Sequence, residues 1–255
     1  MGAAARETRR VVLLVADGVS GLIWPPVVVA GEEAAAQWQQ VFERAQQAGL
    51  LLEAVRGVTS DGAKGLARYL ATTLTWVSHQ RCVFHLWRSL GSALTDRLNE
   101  AALGLVGAAA TQARCAARRE LVGLIRAVFD ASTHRDAQIA FERLQAHRWG
   151  KELARRIDEH LDEALVHLLE YNQGLARTTS EWLWRDFRRR VSHGRNHGSE
   201  VRLERAALLF ALYHNFEPTQ ERSEHTRHYR HPGLCPLAVA GVPPNGVSYL
   251  DALRV

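Results

Sequence analysis

Three stretches carry the residue types that could do chemistry. The first reads V-T-S-D-G-A-K-G-L from Val58 to Leu66, an apolar start that ends in Asp61 and turns on Gly62. A carboxylate at the C-terminal end of a strand, presented on a glycine turn, can hold a metal ion or polarise a water. The second reads S-H-Q-R-C-V-F-H from Ser78 to His85 and sets Cys82 three positions before His85, beside Gln80 and Arg81. The third reads A-R-T-T-S-E-W-L-W-R-D-F-R-R-R from Ala176 to Arg190 and joins Glu181 to Arg185, Arg188, Arg189 and Arg190.

These residues also have plainer readings. Cys82 and His85 are two ligands where a structural zinc site takes four, and Cys115 and Cys235 offer no paired spacing. A buried cysteine with a hydrogen-bonded histidine is the other arrangement. Glu181 is equally an ordinary first-turn glutamate favoured by the helix macrodipole. Phosphate contacts need positive charge and little sequence logic. The Arg185–Arg190 cluster, with His193 and Arg195, is therefore a candidate contact to nucleic acid, and Lys64 and the tail His225–His231 are others. A solvated helix face is the rival for the arginines and for Lys64.

The chain has 255 residues and a formal net charge of +5, a length for one large domain or two small ones with a sizeable core. Hydrophobic residues make up 47% and charged residues 23%, the proportions of a globular protein. No apolar run is long enough to cross a bilayer. Three widely spaced cysteines argue against a disulfide framework and for a reducing compartment. The basic excess is arginine, since Lys64 and Lys151 are the only lysines. Arginine matches phosphate bidentately, which suits a nucleic-acid partner; a GC-rich genome would give the same bias.

Elements must position the candidate residues. Val11–Ala16 is an apolar run short enough for a buried strand, and Asp17-Gly18 and Ser20-Gly21 are turn residues. Leu22–Val29 reads as a second strand, made an edge or bulged strand by Pro25 and Pro26. Val11–Val29 is thus predicted to be a β-hairpin. Gly31-Glu32-Glu33 is expected to put acidic residues in the first turn of a helix over Glu32–Ala48. Ala34, Trp38, Val41, Phe42 and Ala45 would form its apolar face, with Gly49 at C′. Leu50–Thr59 contains the next strand, Lys64–Thr73 is a helix, Trp76–Val83 holds a short strand, and a helix begins near Phe84. That order is an α/β core with mixed strand directions.

From Leu86 to Tyr171 prolines vanish and apolar residues such as Leu121, Leu124, Ile125 and Val128 follow helical spacing. Thr133 with Asp136 resembles a capping box. This stretch reads as an all-helical insertion. Ala176–Ser180 is a helix-start signal for Glu181–Val191, His193–Gly198 is loop-like, and Glu200–Phe216 is a strongly apolar helix. The expected organisation is the first part of the core over 1–85, the insertion over 86–175, the last part of the core over 176–216, and an irregular tail over 217–255.

With these motifs in this order, the chain resembles mutator-type bacterial insertion-sequence transposases, relatives of the eukaryotic Mutator-like elements. T-S-D-G-A-K-G-L resembles the family's second-aspartate motif, at Asp61, and H-Q-R-C-V-F-H its C-x-x-H signature, at Cys82 and His85. The Ala176–Arg190 stretch resembles the segment with the catalytic glutamate, and A-L-Y-H-N-F, Ala211 to Phe216, is similar to the close of that region. The resemblance covers nearly the whole chain. It implies a ribonuclease-H-like core interrupted by a helical insertion, with an Asp-Asp-Glu set holding Mg²⁺ or Mn²⁺ for DNA strand cleavage and transfer. It implies Asp61 and Glu181 as ligands and Cys82 and His85 as bracing residues; Arg185, Arg188, Arg189, Arg190 and Lys64 are the candidate DNA contacts by their charge. DNA, as transposon ends and target, would be the partner of a homo-oligomer without membrane attachment, in the bacterial cytoplasm at the nucleoid.

The first carboxylate is open. A ribonuclease-H-like core starts with three antiparallel strands and carries its first Asp on the first of them, whereas two strands precede the first helix here. If Val11–Ala16 is the second strand, Asp17 is a turn residue, and the first ligand is expected in sequence ahead of Met1. If the strand count is wrong, Asp17 is the ligand. Glu181 takes the catalytic place when register is counted from the arginines; counted from Thr178 and Thr179, Leu183 does. Three functions follow: a Mg²⁺-dependent transposase, a truncated and catalytically inactive remnant that only binds DNA or self-associates, and a zinc-dependent binding module built on Cys82 and His85.

Overall fold

The computed structural model describes residues 10–179, 181–191, 199–218, 231, 233–242 and 244. The expected His193–Gly198 loop, Arg195, His225 and His228 lie outside the described residues. The order is β1 (Arg10–Leu13), β2 (Val27–Ala30), α1 (Ala35–Gln47), β3 (Gly57–Ser60), α2 (Lys64–Thr73), β4 (Ser78–Arg81), α3 (Val83–Ser89), α4 (Gly91–Ala101), α5 (Gly107–Phe129), α6 (His134–Ala146), α7 (Lys151–Asp158), α8 (Leu161–Ala164), α9 (Glu181–Val191), α10 (Glu200–Phe216) and α11 (Pro236–Val239). The fold is mixed α/β, mostly helical with small sheets. It divides into two compact units, one drawn from Met1–Val55, Ala63–Leu74 and Ser180–Val255, the other from Arg56–Gly62 and Thr75–Thr179.

In the first unit β1 pairs antiparallel with β2, from Arg10↔Ala30 to Leu13↔Val27. Bonds from Trp24 N–H to the Val15 carbonyl (2.9 Å) and from Asp17 N–H to the Leu22 carbonyl (2.8 Å) carry the ladder on to the turn. The expected hairpin is present, but its second strand is shorter than Leu22–Val29. Pro25 and Pro26 have no N–H to give a ladder, and they separate the Ala16↔Ile23 bridge from β2. Residues on alternate positions, Val12, Leu14 and Ala16, pack with Ile23 against Leu183 and Phe187 of α9 and Phe210 of α10.

Helix α1 starts later than expected, and its first turn holds no acidic residue. Gly31 takes φ +88° as the chain leaves β2, and the Gln37 side chain accepts the Ala34 N–H (3.0 Å) and so fixes the start beyond Glu32 and Glu33. Trp38, Val41, Phe42 and Ala45 are buried as the periodicity predicts. The end is a Schellman turn: Leu50 N–H reaches the Ala45 carbonyl and Gly49 N–H the Gln46 carbonyl, both at 2.9 Å, with Gly49 at φ +103°. Phe42 stacks on Tyr69 of α2 with centroids 5.2 Å apart. Gly65 lies against the chain entering α1, where a Cβ would stand 2.8 Å from the Glu33 carbonyl oxygen and 2.9 Å from the Ala34 carbonyl carbon.

In the second unit β3 pairs parallel with β4, Gly57↔Ser78 to Ser60↔Arg81. Only the residues opposite Ser78–Arg81 find ladder partners, so the strand expected within Leu50–Thr59 reduces to the four residues ending at Ser60. A parallel pair needs a crossover connection, and the chain from Asp61 to Val77, with α2 in it, supplies one. Helices α3 to α8 bury Leu121, Ile125, Val128, Leu144, Leu153 and Ile157 in one core. Thr133 caps α6: its hydroxyl accepts the Asp136 N–H (3.1 Å) and donates to the Asp136 carboxylate (2.8 Å). Cys82, Cys115 and Cys235 are free thiols. Among the described residues no helix is long and apolar enough to cross a membrane.

Alanine is the better helix former by roughly 1 kcal/mol at an exposed site, but at Gly65 the added methyl meets backbone. Gly65→Ala should therefore destabilise the protein, by about 1–3 kcal/mol. A urea-denaturation midpoint equal to or above that of the parent would contradict this packing.

Candidate functional site

The parallel register brings the C-terminal ends of β3 and β4 to one edge. Ser60 stands opposite Arg81, and the Cys82 N–H donates to the Ser60 carbonyl at 2.7 Å, one step past the strands. Asp61 follows on this edge and is exposed. Gly62 takes φ +89°, a conformation that favours glycine. Ser60, 6% exposed, uses its hydroxyl twice: it accepts the Gly62 N–H (3.1 Å) and meets His79 Nε2 (2.8 Å). The Arg81 guanidinium lies directly on Gly62, where a Cβ would stand 2.3 Å from Nη1. Glu163 Oε2 is 3.5 Å from that nitrogen and 3.3 Å from His160 Nδ1.

Strand alternation puts Val58, Ser60, His79 and Arg81 on one face and Gly57, Thr59 and Gln80 on the other. Gln80 is fully buried. Its amide nitrogen donates to the Ala164 carbonyl (2.7 Å) and the Arg81 carbonyl (2.6 Å), and its oxygen accepts the His167 N–H (2.8 Å). No spacing rule marks Gln80; a lone glutamine inside a short strand was the available signal.

Cys82 caps α3 and is 0% exposed. Its Sγ accepts the Thr179 N–H (3.2 Å) and lies 3.4 Å from the Thr179 hydroxyl. Further bonds tie the same segment. Val83 N–H donates to the Arg177 carbonyl (3.0 Å), and the Thr59 hydroxyl donates to the Ala176 carbonyl. Arg177 reaches the end of α5 at the Phe129 carbonyl (2.9 Å) and the Asp130 carboxylate (2.7 Å). Leu175 packs so closely on Gly57 that a Cβ there would meet its Cδ1 at 2.8 Å. Residues 175–179 are thus a strap, and the A-R-T-T stretch within it precedes α9, which begins at Glu181 as the start signal predicts. His85 is half-buried on α3, edge-on to Phe84 at 5.7 Å. Among the described residues no three His, Cys, Asp or Glu gather as a metal-holding group.

Asp17 sits at the hairpin tip, exposed. Its Oδ1 accepts the Val19 N–H (3.1 Å), the Ser20 N–H (2.6 Å) and the Ser20 hydroxyl (2.7 Å), an Asx turn. Glu181 is the first residue of α9. Leu183, 1% exposed, forms the helix's core stripe with Phe187 and Val191. Glu181, Arg185 and Arg188 recur at steps of four and three and share a different stripe. Arg185, Arg188, Arg189 and Arg190 are exposed, as is Lys64 at the start of α2. Arg190 is already engaged: it donates to Asp186 (3.0 Å) and lies 4.5 Å over the Tyr213 ring. The A-L-Y-H-N-F stretch holds the hairpin. His214 Nε2 meets the Gly21 carbonyl at 3.1 Å. Asn215 accepts the Ile23 N–H and donates to the Ile23 carbonyl, both at 2.8 Å. Its amide thus does for Ile23 what a neighbouring strand would do.

Burial is the main cause that holds His79, His167 and His214 below the ordinary imidazole value. Secondary charges modulate it at His79, where Glu163 raises and Arg81 lowers the pKa. The unfolded chain takes up these protons near pH 6.5, whereas the folded chain resists them. Their contribution to stability is complete above about pH 6.5 and is lost as pH falls below it. Denaturation midpoints should be flat from about pH 8 to 7 and fall toward pH 5.5, with a shallower fall in His214→Gln. A midpoint that rises on acidification would contradict the buried neutral histidines.

A family model described as Transposase, Mutator family matches residues 12–192. No curated protein and no solved structure matches the chain significantly.

Proposed function

The chain belongs to the Mutator family of transposases, and we propose that it cuts and joins DNA strands at insertion-sequence ends in a Mg²⁺-dependent reaction. The observation that carries this reading is the exposed Asp61 carboxylate on its glycine turn, at the C-terminal edge of two parallel strands. Open α/β sheets bind their ligands at that edge. We take the mixed α/β fold as a ribonuclease-H-like core with the helices α4 to α8 as its insertion.

The donor chemistry suits the ion, since Mg²⁺ is held by one or two carboxylates together with waters and substrate phosphates. Asp61 and Glu181 would hold it, and Mn²⁺ could replace it. When bound, the ion supplies activation of a water or 3′-hydroxyl and stabilisation of the leaving oxygen at phosphorus. Leu183 in the hydrophobic core supports counting the register from the arginines, with Glu181 in the catalytic place. Asp17 has one oxygen committed to three donors; we assign it to the turn. Arg185, Arg188 and Arg189, with Lys64, would neutralise DNA phosphates, while Arg190 would order Asp186 and Tyr213. Cys82, through Thr179, would brace the chain two residues before Glu181, with His85 beside it on α3. Assembly as a homo-oligomer on DNA belongs to the same proposal.

A catalytically silent DNA-binding remnant is the second reading, favoured by the engagement of Asp17 Oδ1 in the hairpin turn. The test is strand cleavage and joining of element-end duplexes with and without Mg²⁺. Wild-type protein should show Mg²⁺-dependent products, and Asp61→Asn and Glu181→Gln should each reduce them to background while DNA binding persists. Binding without any Mg²⁺-dependent product from the wild type would establish the remnant instead.

A further inference from the structure

The Arg81 guanidinium is held in place, and its ion pair, to Glu163, is long at 3.5 Å. It rests on Gly62, and any side chain at that glycine would occupy its position. The Arg81 side chain is only 21% exposed, and among the described residues no acceptor takes its buried Nε. The carboxylate near it, Glu163, is 55% exposed and stands at 3.5 Å. Charge-assisted bonds to carboxylates are closer, near 2.8 Å, and exposed ion pairs contribute little. Glu163 Oε2 also lies 3.3 Å from His160 Nδ1. Glu163 therefore does not account for a mostly buried arginine at this edge. The guanidinium is a planar fork with five donors, matched to two oxygens of one phosphate. It stands against the residue that follows Asp61.

We propose that Arg81 is a phosphate-binding residue, whose guanidinium takes non-bridging oxygens of the DNA backbone beside Asp61. The assignment rests on the reading that DNA is brought to Asp61. It gives Gly62 a second duty besides its φ: the absent side chain leaves the guanidinium lying over the turn. It also separates this arginine, whose side chain is mostly buried, from the exposed ones of α9.

The test uses the full chain and a fluorescently labelled duplex, with binding measured by anisotropy over a range of NaCl concentrations. Each phosphate neutralised contributes about 0.9 to the slope of log K against log salt. Arg81→Gln should weaken binding roughly tenfold and reduce the slope by about one phosphate's worth. Gly62→Ala should do the same by displacing the guanidinium. Arg81→Lys should keep the slope and lose part of the affinity, since an ammonium cannot form the bidentate contact. Arg155→Gln, on the exposed face of α7 and paired with Glu152 and Glu159, should leave both unchanged. Wild-type affinity and slope in Arg81→Gln would overturn the proposal, and so would a loss of affinity with no change of slope, the mark of a merely structural role. If Arg81→Gln does not fold, Arg81→Lys decides, and undiminished affinity there overturns the assignment. Failure of the wild type to bind DNA would overturn the transposase reading and this site together, whereas DNA binding that ignores Arg81 overturns this site alone.

Discussion

Parallel pairing of β3 with β4 over four residues is the interaction on which the candidate site depends. It joins two motifs that lie apart in sequence and aligns their C-terminal ends. Side chains alternate with a period of two, so a slip of one residue would exchange the faces of β4. Gln80 would then leave the Ala164 and His167 backbone groups it satisfies, and Arg81 would leave Gly62. Three of the Gln80 partners are backbone groups, the Ala164 and Arg81 carbonyls and the His167 N–H, which a shifted glutamine could not reach. The buried amide therefore works against register error as well as for cohesion.

The two glycines of D-G-A-K-G answer two different constraints. Gly62 sits at φ +89° under a guanidinium; Gly65 lies within α2, against the backbone at the start of α1. Only the first is a turn glycine. The second is visible as special only when the neighbouring chain is present, because a helical glycine is otherwise a modest loss of stability. A five-residue motif can thus owe its composition to one chemical position, Asp61, and two steric ones.

Local signals were legible in the sequence. The Thr133 cap, the Gly49 termination, the α10 span and the order of strands and helices each rest on contacts within a few residues. Contacts between distant residues were not legible. Asn215 and Ile23 are 192 positions apart, and nothing in either neighbourhood announces an amide standing in for a strand. The strap over 175–179 precedes α9, as its start signal says, but nothing local announces its bonds to Cys82, Val83 and Thr59. Arg190 looks the same as Arg189 in sequence and differs in having Asp186 and Tyr213 within reach. For the candidate site this means that Asp61 and its edge could be anticipated, while the residues that hold the edge could not.

Buried polar side chains show where those holding contacts are. Ser60, Gln80, Asn172 and His214 are buried polar residues among those described. Each has a partner: His79 and Gly62 for Ser60, Ala164 and His167 for Gln80, the Val166 carbonyl for Asn172, and the Gly21 carbonyl for His214. A buried polar group without a partner is costly, so a polar residue persists in such a place only where a particular neighbour meets it. Two of the four, Ser60 and Gln80, fall in stretches first singled out for their chemistry. Their burial gives them a structural role, to fix the backbone. At the edge of β3 and β4 Ser60 faces inward and is satisfied, Asp61 faces outward, and the arginine opposite Ser60 is buried by its stem with donors still to place.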